Sequence, residues 1–237
     1  MSLFPVAMES ERLRYERLHP DEFDPLELYE YVRSDAPHID EITRYMTWDP
    51  YDNPKEAHEW VTQCGNAFDD GETATYVVRP KEGSRADEFA GLCGLGIDWG
   101  TQSAELGVWL RKPFWGQGYS GERAGRLLEL AFDRLDLELV RVSHDPDNDL
   151  SRRAITRYVE RFGGRKEGRV RNDIVMNSEP RDSIRYSISR EEWEGATGRP
   201  GDAENQPTET ATADRSGGTN RATEQVDRPR GSVADLI

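Results

Sequence analysis

The stretch FWGQGYSGE, Phe114 to Glu122, sets three glycines within six residues between two segments of opposite periodicity. Upstream, SAELGVWLR alternates as a strand does, with Ala104, Leu106, Val108 and Leu110 on one face and Glu105, Gly107 and Trp109 on the other. Downstream, SGERAGRLLELAFDRLD places Ala124, Leu127, Leu128, Ala131 and Leu135 on one helical stripe. A strand passing through glycines into a helix presents unpaired N–H groups and the positive end of a helix dipole. Glycine at 116 and 118 permits positive φ and lets backbone approach an anion closely. The turn is therefore either a plain connection or a phosphate cradle. It is not a Walker loop, because no Gly-Lys-Ser/Thr follows. Gly116, Gly118 and Gly121 do meet the dinucleotide spacing, but strand-like segments precede them where a dinucleotide unit would open its domain.

Around this junction the chain alternates in type. ERLRYERL reads as a first strand, and DPLELYEYVRSD as a helix capped by Asp24 with Pro25 in its first turn. Asn53 and Pro54 open a second helix in DNPKEAHEWVTQCGNAFDDG. TATYVVRP and EFAGLCGLGIDW form a strand pair before SAELGVWLR. After the glycine helix come the strand LELVRVSHD, the helix LSRRAITRYVERFGG closed by Gly163 and Gly164, and the strands GRVRNDIVM and SIRYSISREEW. This order predicts a mixed α/β fold, a sheet with helices on its faces.

The fold is expected within residues 1–195. The last aromatic residue is Trp193, and from Ala196 to Ile237 the chain is polar and rich in Gly, Thr, Ala, Asp and Pro. Such a segment buries too little apolar surface to offset its ordering entropy, so 196–237 is expected to be a disordered acidic polar tail. The formal net charge is -15, and only four of the 31 basic residues are lysines, which suggests a protein solvated in high salt, a halophilic one. The same field disfavours nucleic acid and anionic membranes as partners. No apolar run approaches the roughly 20 residues of a spanning helix, and the N-terminus does not read as a secretory signal. Cys64 and Cys93 are too few for a disulfide framework or a four-ligand metal site. A cytoplasmic protein without a metal is expected.

ELGVWLRKPFWGQGYSGERAGRLLELAFD resembles the acyl-CoA-binding segment of the GNAT acetyltransferases, and most of all the branch that acetylates ribosomal-protein N-termini. The family motif, Gln/Arg-x-x-Gly-x-Gly/Ala, aligns with Trp115 through Ser120, with Trp at its first position and Ser at its last. ERLRYERL is similar to the family's first strand, RYMTWDPYDNPKEAHEWV to its second-helix entry, and DNDLSRRAITRYVERFGGRKEGRVRN to its Asn-x-x-Ser helix and the strand beyond. The resemblance implies a mostly antiparallel sheet of about six or seven strands, splayed at the CoA site, with about four helices.

It also implies transfer of an acetyl group from acetyl-CoA, as co-substrate, to a primary amine, with a protein N-terminus the first expectation. Small amines such as antibiotics or polyamines, or a non-catalytic CoA-binding module, stay open. The amides of Gln117, Gly118, Tyr119, Ser120 and Gly121 would hold the pyrophosphate. Backbone of Val108, Leu110 and Arg111 would pair with the pantetheine arm, and Asn148 and Ser151 would add polar groups near it. Glu105 is the expected base, with His144 a second choice, and Tyr158 the expected acid toward the sulfur. For Tyr158 a core tyrosine with a satisfied hydroxyl competes, and for Asn148 a simple helix cap. Trp48, Tyr51 and Trp109 would border the acceptor. The arginines at 152, 153, 157 and 161 would reach the 3'-phosphate or simply face solvent. Monomer and homodimer stay equally open.

Overall fold

The structure, a computed structural model, describes residues 2–176 and 178–198. The described residues form a single eight-stranded sheet in the order β1-β2-β3-β4-β5-β6-β8-β7. Its strands are β1 (Ala7–Glu9), β2 (Leu13–Arg17), β3 (Thr73–Pro80), β4 (Gly91–Asp98), β5 (Ser103–Leu110), β6 (Leu139–His144), β7 (Arg165–Met176) and β8 (Glu179–Ser189). All neighbours run antiparallel except β5 and β6. The helices are α1 (Pro25–Val32), α2 (Ile39–Thr43), α3 (Pro54–Asp69), α4 (Tyr119–Glu129), α5 (Asp149–Arg161) and α6 (Arg190–Thr197). A π-helical turn, Leu130–Arg134, prolongs α4.

Local chemistry explains the helix starts. Asp24 accepts from the Leu26 amide at 2.9 Å and Asn53 from the Lys55 amide at 3.1 Å, each with a proline in the first turn. The sheet holds one strand more than the upper expectation, and the helices number six. β1 and α2 are only three and five residues long, too short to show a period. The sixth helix corrects the reading of SISREEW as strand: Ser189 and Glu192 form a capping box that stops β8 and starts α6. That helix passes the expected boundary at 195 and runs to Thr197. The remainder of the expected tail, residues 199–237, lies outside the described residues.

Apolar residues fill both faces of the sheet. On one, α4, α5 and α6 pack through Leu127, Leu128, Tyr158, Val159 and Trp193 onto Cys93, Leu95, Ala104 and Leu106. On the other, α1 and α3 pack through Leu28, Val32, Val61 and Cys64 onto Val77, Leu92 and Trp109. Both cysteines are buried, and neither forms a disulfide among the described residues. Among the described residues no helix is long and apolar enough to cross a membrane.

Candidate functional site

The site begins where the sheet comes apart. β5 pairs with β4 along all eight residues, from Ser103 to Leu110. With β6 it pairs only at Ser103↔Leu139, Ala104↔Val140 and Glu105↔Arg141. Beyond Glu105 the two parallel strands separate, which leaves an open seam with unpaired backbone edges. The Arg111 amide donates to Ala90 O, on the β4 side, at 2.8 Å. By strand alternation Val108 and Leu110 turn their backbone groups into the seam, and Arg111 does not. Arg111 is thus corrected from the expected backbone set: its guanidinium donates to Phe89 O at 2.6 Å and lies 3.9 Å from the Tyr31 ring centroid. Leu110 keeps its position at the seam, although its carbonyl already accepts from Trp115 Nε1 at 2.6 Å.

At the mouth of the seam the glycine turn has the backbone its sequence suggests. Gly116 and Gly118 have φ of 75° and 80°, and Gly118 is the N-cap of α4 with no side chain capping the helix. Gly121 differs. Its amide donates to Gly118 O at 3.1 Å within the turn, and a Cβ there would meet only Tyr158 Cβ, at 3.8 Å. Gln117, Gly118, Tyr119 and Ser120 stay at the start of the helix, the first two exposed, Ser120 half-buried and Tyr119 buried against Phe114.

An arginine from β2's approach, absent from the sequence expectations, holds this cradle. Arg12 donates through its backbone amide and Nε to Glu122, each at 2.7 Å, and through Nη1 to Gln117 O at 3.0 Å. Its guanidinium lies 5.1 Å from the Tyr119 ring centroid. Ser10 adds a 2.7 Å bond to Glu122. Burial acts to raise the Glu122 pKa, but the bonds from Ser10 and Arg12 outweigh it and hold the carboxyl below its usual range.

Glu105 stands at the last paired position of β5 and β6, the apex of the seam, and is half-buried. It shares the α1–α3 face with Trp109; the position between them, Gly107, and its cross-strand partner Gly94 carry no side chain. Trp109 is 3% exposed. Trp48 stacks at an angle on it, centroids 5.7 Å apart, and meets Tyr51 at 6.2 Å, so the three aromatics form one wall. Backbone bonds to the end of α1 fix Tyr51, whose amide donates to Val32 O at 2.9 Å. A separate cavity of about 350 Å³ is lined by Arg44, Tyr45, Asp147, Met176, Glu179 and Arg181.

Tyr158 lies on the opposite face, against Gly121 of the cradle helix, and is 2% exposed. Among the described residues its hydroxyl has no hydrogen-bond partner of ordinary geometry. Burial raises its pKa, partly opposed by the nearby guanidinium of Arg123, 5.7 Å from the ring centroid. Asn148 caps α5, accepting from the Ser151 amide at 3.0 Å, so its carbonyl is engaged in the helix start. His144 is buried, stacked on Tyr186, with Nδ1 at 2.8 Å from Asp145 O; burial lowers its pKa. Arg152, Arg153, Arg157 and Arg161 are exposed, with Arg152 bound to Asp149 and Arg161 over the Phe162 ring. Arg123 had a readable signal: it lies four residues before Leu127 on the stripe that faces the sheet.

Comparison with known proteins agrees with this geometry. The family model described as "Acetyltransferase (GNAT) domain" matches residues 12–158. The chain is 25% identical over 156 residues to the uncharacterized N-acetyltransferase p20 of Bacillus licheniformis, covering 65% of this chain and 84% of that one. It is 32% identical over 108 residues to a Bacillus subtilis protein named "Putative ribosomal N-acetyltransferase YdaF", covering 44% of this chain and 57% of that one. Among solved structures, a GCN5-related N-acetyltransferase from Brucella melitensis superposes with a TM-score of 0.64 at 22% identity, over 84% of this chain and 86% of that one. The microcin C7 self-immunity acetyltransferase MccE, solved with acetyl-CoA and AMP, gives 0.66 at 18% identity, over 79% of this chain and 98% of that one. With its family model spanning the cradle, the seam and Tyr158, the chain belongs to the GNAT acetyltransferases and is an acyltransferase.

Proposed function

We propose that the protein transfers the acetyl group of acetyl-CoA to a primary amine, with a protein N-terminus as the first acceptor to test. The observation that carries this is the seam: a glycine turn at its mouth, a β5 edge that β6 leaves beyond Glu105, and a carboxylate at its apex. The cradle amides would hold the pyrophosphate, and the open edge of β5 would take the pantetheine amides as a missing strand would. The thioester then lies near Glu105, reached from the aromatic wall on the α1–α3 face. Glu105, directly or through water, takes a proton from the amine as its nitrogen attacks the carbonyl carbon. Tyr158, on the other face, protonates the departing sulfur. Trp48, Tyr51 and Trp109 would orient the acceptor.

The ribosomal name of the Bacillus subtilis relative favours a protein N-terminus, whereas MccE, named for self-immunity to a microcin, favours a small-molecule amine. Acetyl-CoA consumption against a panel of amines and N-terminal peptides, in molar salt, separates them. Glu105→Gln should lower kcat by about 100-fold or more. Equal turnover by wild type and variant removes Glu105 as the base. Acetyl-CoA binding without transfer to any amine would leave a regulatory CoA-binding module. The charge of -15 and the scarcity of lysine support a halophilic, cytoplasmic protein, which a melting temperature that rises with salt would bear out. The polar segment beyond Thr197, the end of α6, is proposed as a tail separate from the catalytic fold, and its deletion should leave kcat unchanged.

A further inference from the structure

Arg123 is 1% exposed, and its Nε and Nη1 atoms have no hydrogen-bond partner among the described residues. A buried guanidinium in that state is costly, because desolvation is not offset by a partner. The titratable groups around it supply no counter-charge. Tyr15 faces it from β2, Cys93 from β4 and Tyr158 from α5, and burial pushes all three upward, Cys93 to about 12, so each is neutral near pH 7. The adjacent Glu122 is held by Ser10 and Arg12. What Arg123 does have is the Tyr158 ring at 5.7 Å and, near it, a phenol hydroxyl that makes no hydrogen bond of ordinary geometry among the described residues but whose pKa the guanidinium lowers. Both side chains are buried, Arg123 on the cradle helix and Tyr158 on α5. A cation and an acid, both unsatisfied and side by side, fit a site completed by a charge that arises only during reaction.

We propose that Arg123 is a positioning and charge-stabilising residue for acetyl transfer, acting through Tyr158: its guanidinium receives the phenolate formed when Tyr158 gives its proton to the departing sulfur. In this step the amine nitrogen bonds to the thioester carbonyl carbon, and the C–S bond breaks with its electron pair on sulfur. Tyr158 Oη–H protonates that sulfur, which leaves as the thiol. The proton lost by the nitrogen passes to Glu105 and on to solvent, and the phenolate recovers a proton as product departs. A free thiol has a pKa near 8.5 and a free phenol one near 10, so a buried phenol without a cation would be a poor donor to this sulfur. This role rests on the acetyl-transfer reading above.

The test compares Arg123→Met, Arg123→Lys, Tyr158→Phe and the Arg123→Met/Tyr158→Phe double variant by melting temperature, acetyl-CoA calorimetry and steady-state kinetics. Arg123→Met removes a buried unpaired charge at similar volume, so it should melt at or above the wild-type temperature and bind acetyl-CoA unchanged. Its kcat should fall by about 100-fold, the scale of one preorganised charge in an active site. Arg123→Lys should recover part of that loss. In the Tyr158→Phe background the further loss should vanish, because the two act as one unit. A lower melting temperature with weakened acetyl-CoA binding makes Arg123 structural and overturns the proposal. So does an unchanged kcat, or a double variant that loses the product of the two single effects. A wild-type protein that binds acetyl-CoA but acetylates no amine sinks the acetyl-transfer reading and this role together. A wild-type protein no faster than Arg123→Met sinks this role alone.

Discussion

On the α4–α5 face of the seam, the proposed ligand-holding parts are mostly backbone from one short stretch of chain, the turn at Gly116 and Gly118 and the first amides of α4, with Arg123 of α4 and Tyr158 of α5 buried behind them. On the α1–α3 face they are side chains gathered from distant segments, Trp48 and Tyr51 before α3 and Glu105 and Trp109 on β5. A cradle made of backbone needs only glycine and a helix start, so it tolerates change around it. A wall made of stacked aromatics depends on how a loop packs, so its shape can change while the fold stays constant. One face is suited to a constant ligand and the other to a variable one.

The sharpest way to break this contrast is Gly118→Val. A β-branched side chain at φ of 80° is strained by ~1–3 kcal/mol and alters the helix entry, so acetyl-CoA affinity should fall by up to about 100-fold, read by calorimetry. If the affinity holds, the backbone cradle is not the anion site. Trp48→Ala should act on the other face alone. It removes one side of the aromatic wall, so acceptor KM should rise by about 10-fold while acetyl-CoA KM stays put, an edge worth ~1.5 kcal/mol. A change in both constants would mean that the faces are not independent.

Arg12→Gln should cost less, because the Arg12 side chain is 48% exposed. Loss of its bonds to Glu122 and Gln117 O loosens the cradle by ~1 kcal/mol, about a five-fold rise in acetyl-CoA KM with acceptor KM unchanged. The smallest effect is one of pH. Because the folded Glu122 pKa is depressed, its stabilisation is complete above the unfolded value, about 4.3, and is lost as pH falls through the lower folded value. The difference in melting temperature between wild type and Glu122→Gln should therefore be constant at neutral pH and shrink on acidification. A difference that grows in acid would reverse the sign argued here.

The sequence reading reached the two faces unequally. Gly116 to Ser120 was legible because a strand, a glycine turn and an amphipathic helix are each local patterns. Asp24, Asn53 and Gly163 were legible for the same reason, as caps. The grouping of Trp48, Tyr51 and Trp109 was expected from the family resemblance, whereas their contacts belong to the fold. Arg12 was hidden because its partners, Glu122 and Gln117 O, lie more than 100 residues away. Arg111 was misplaced because one residue of strand alternation decides which neighbour a backbone group faces, and the β4 register sets it. SISREEW was misread even though its Ser-x-x-Glu box stands in the sequence, since alternation and capping compete over so few residues.

By itself the sequence determined the order of its longer elements and the glycine turn that opens α4, because periodicity, caps and glycine dihedrals act over a few neighbouring residues, and its motifs carried the family resemblance. Only the tertiary structure decided where β5 leaves β6, which backbone edges that frees, and that Arg123 and Tyr158 lie buried near each other, each with polar atoms that have no hydrogen-bond partner among the described residues. Those outcomes depend on pairing register and on packing between segments far apart in the chain, and no local pattern carries either.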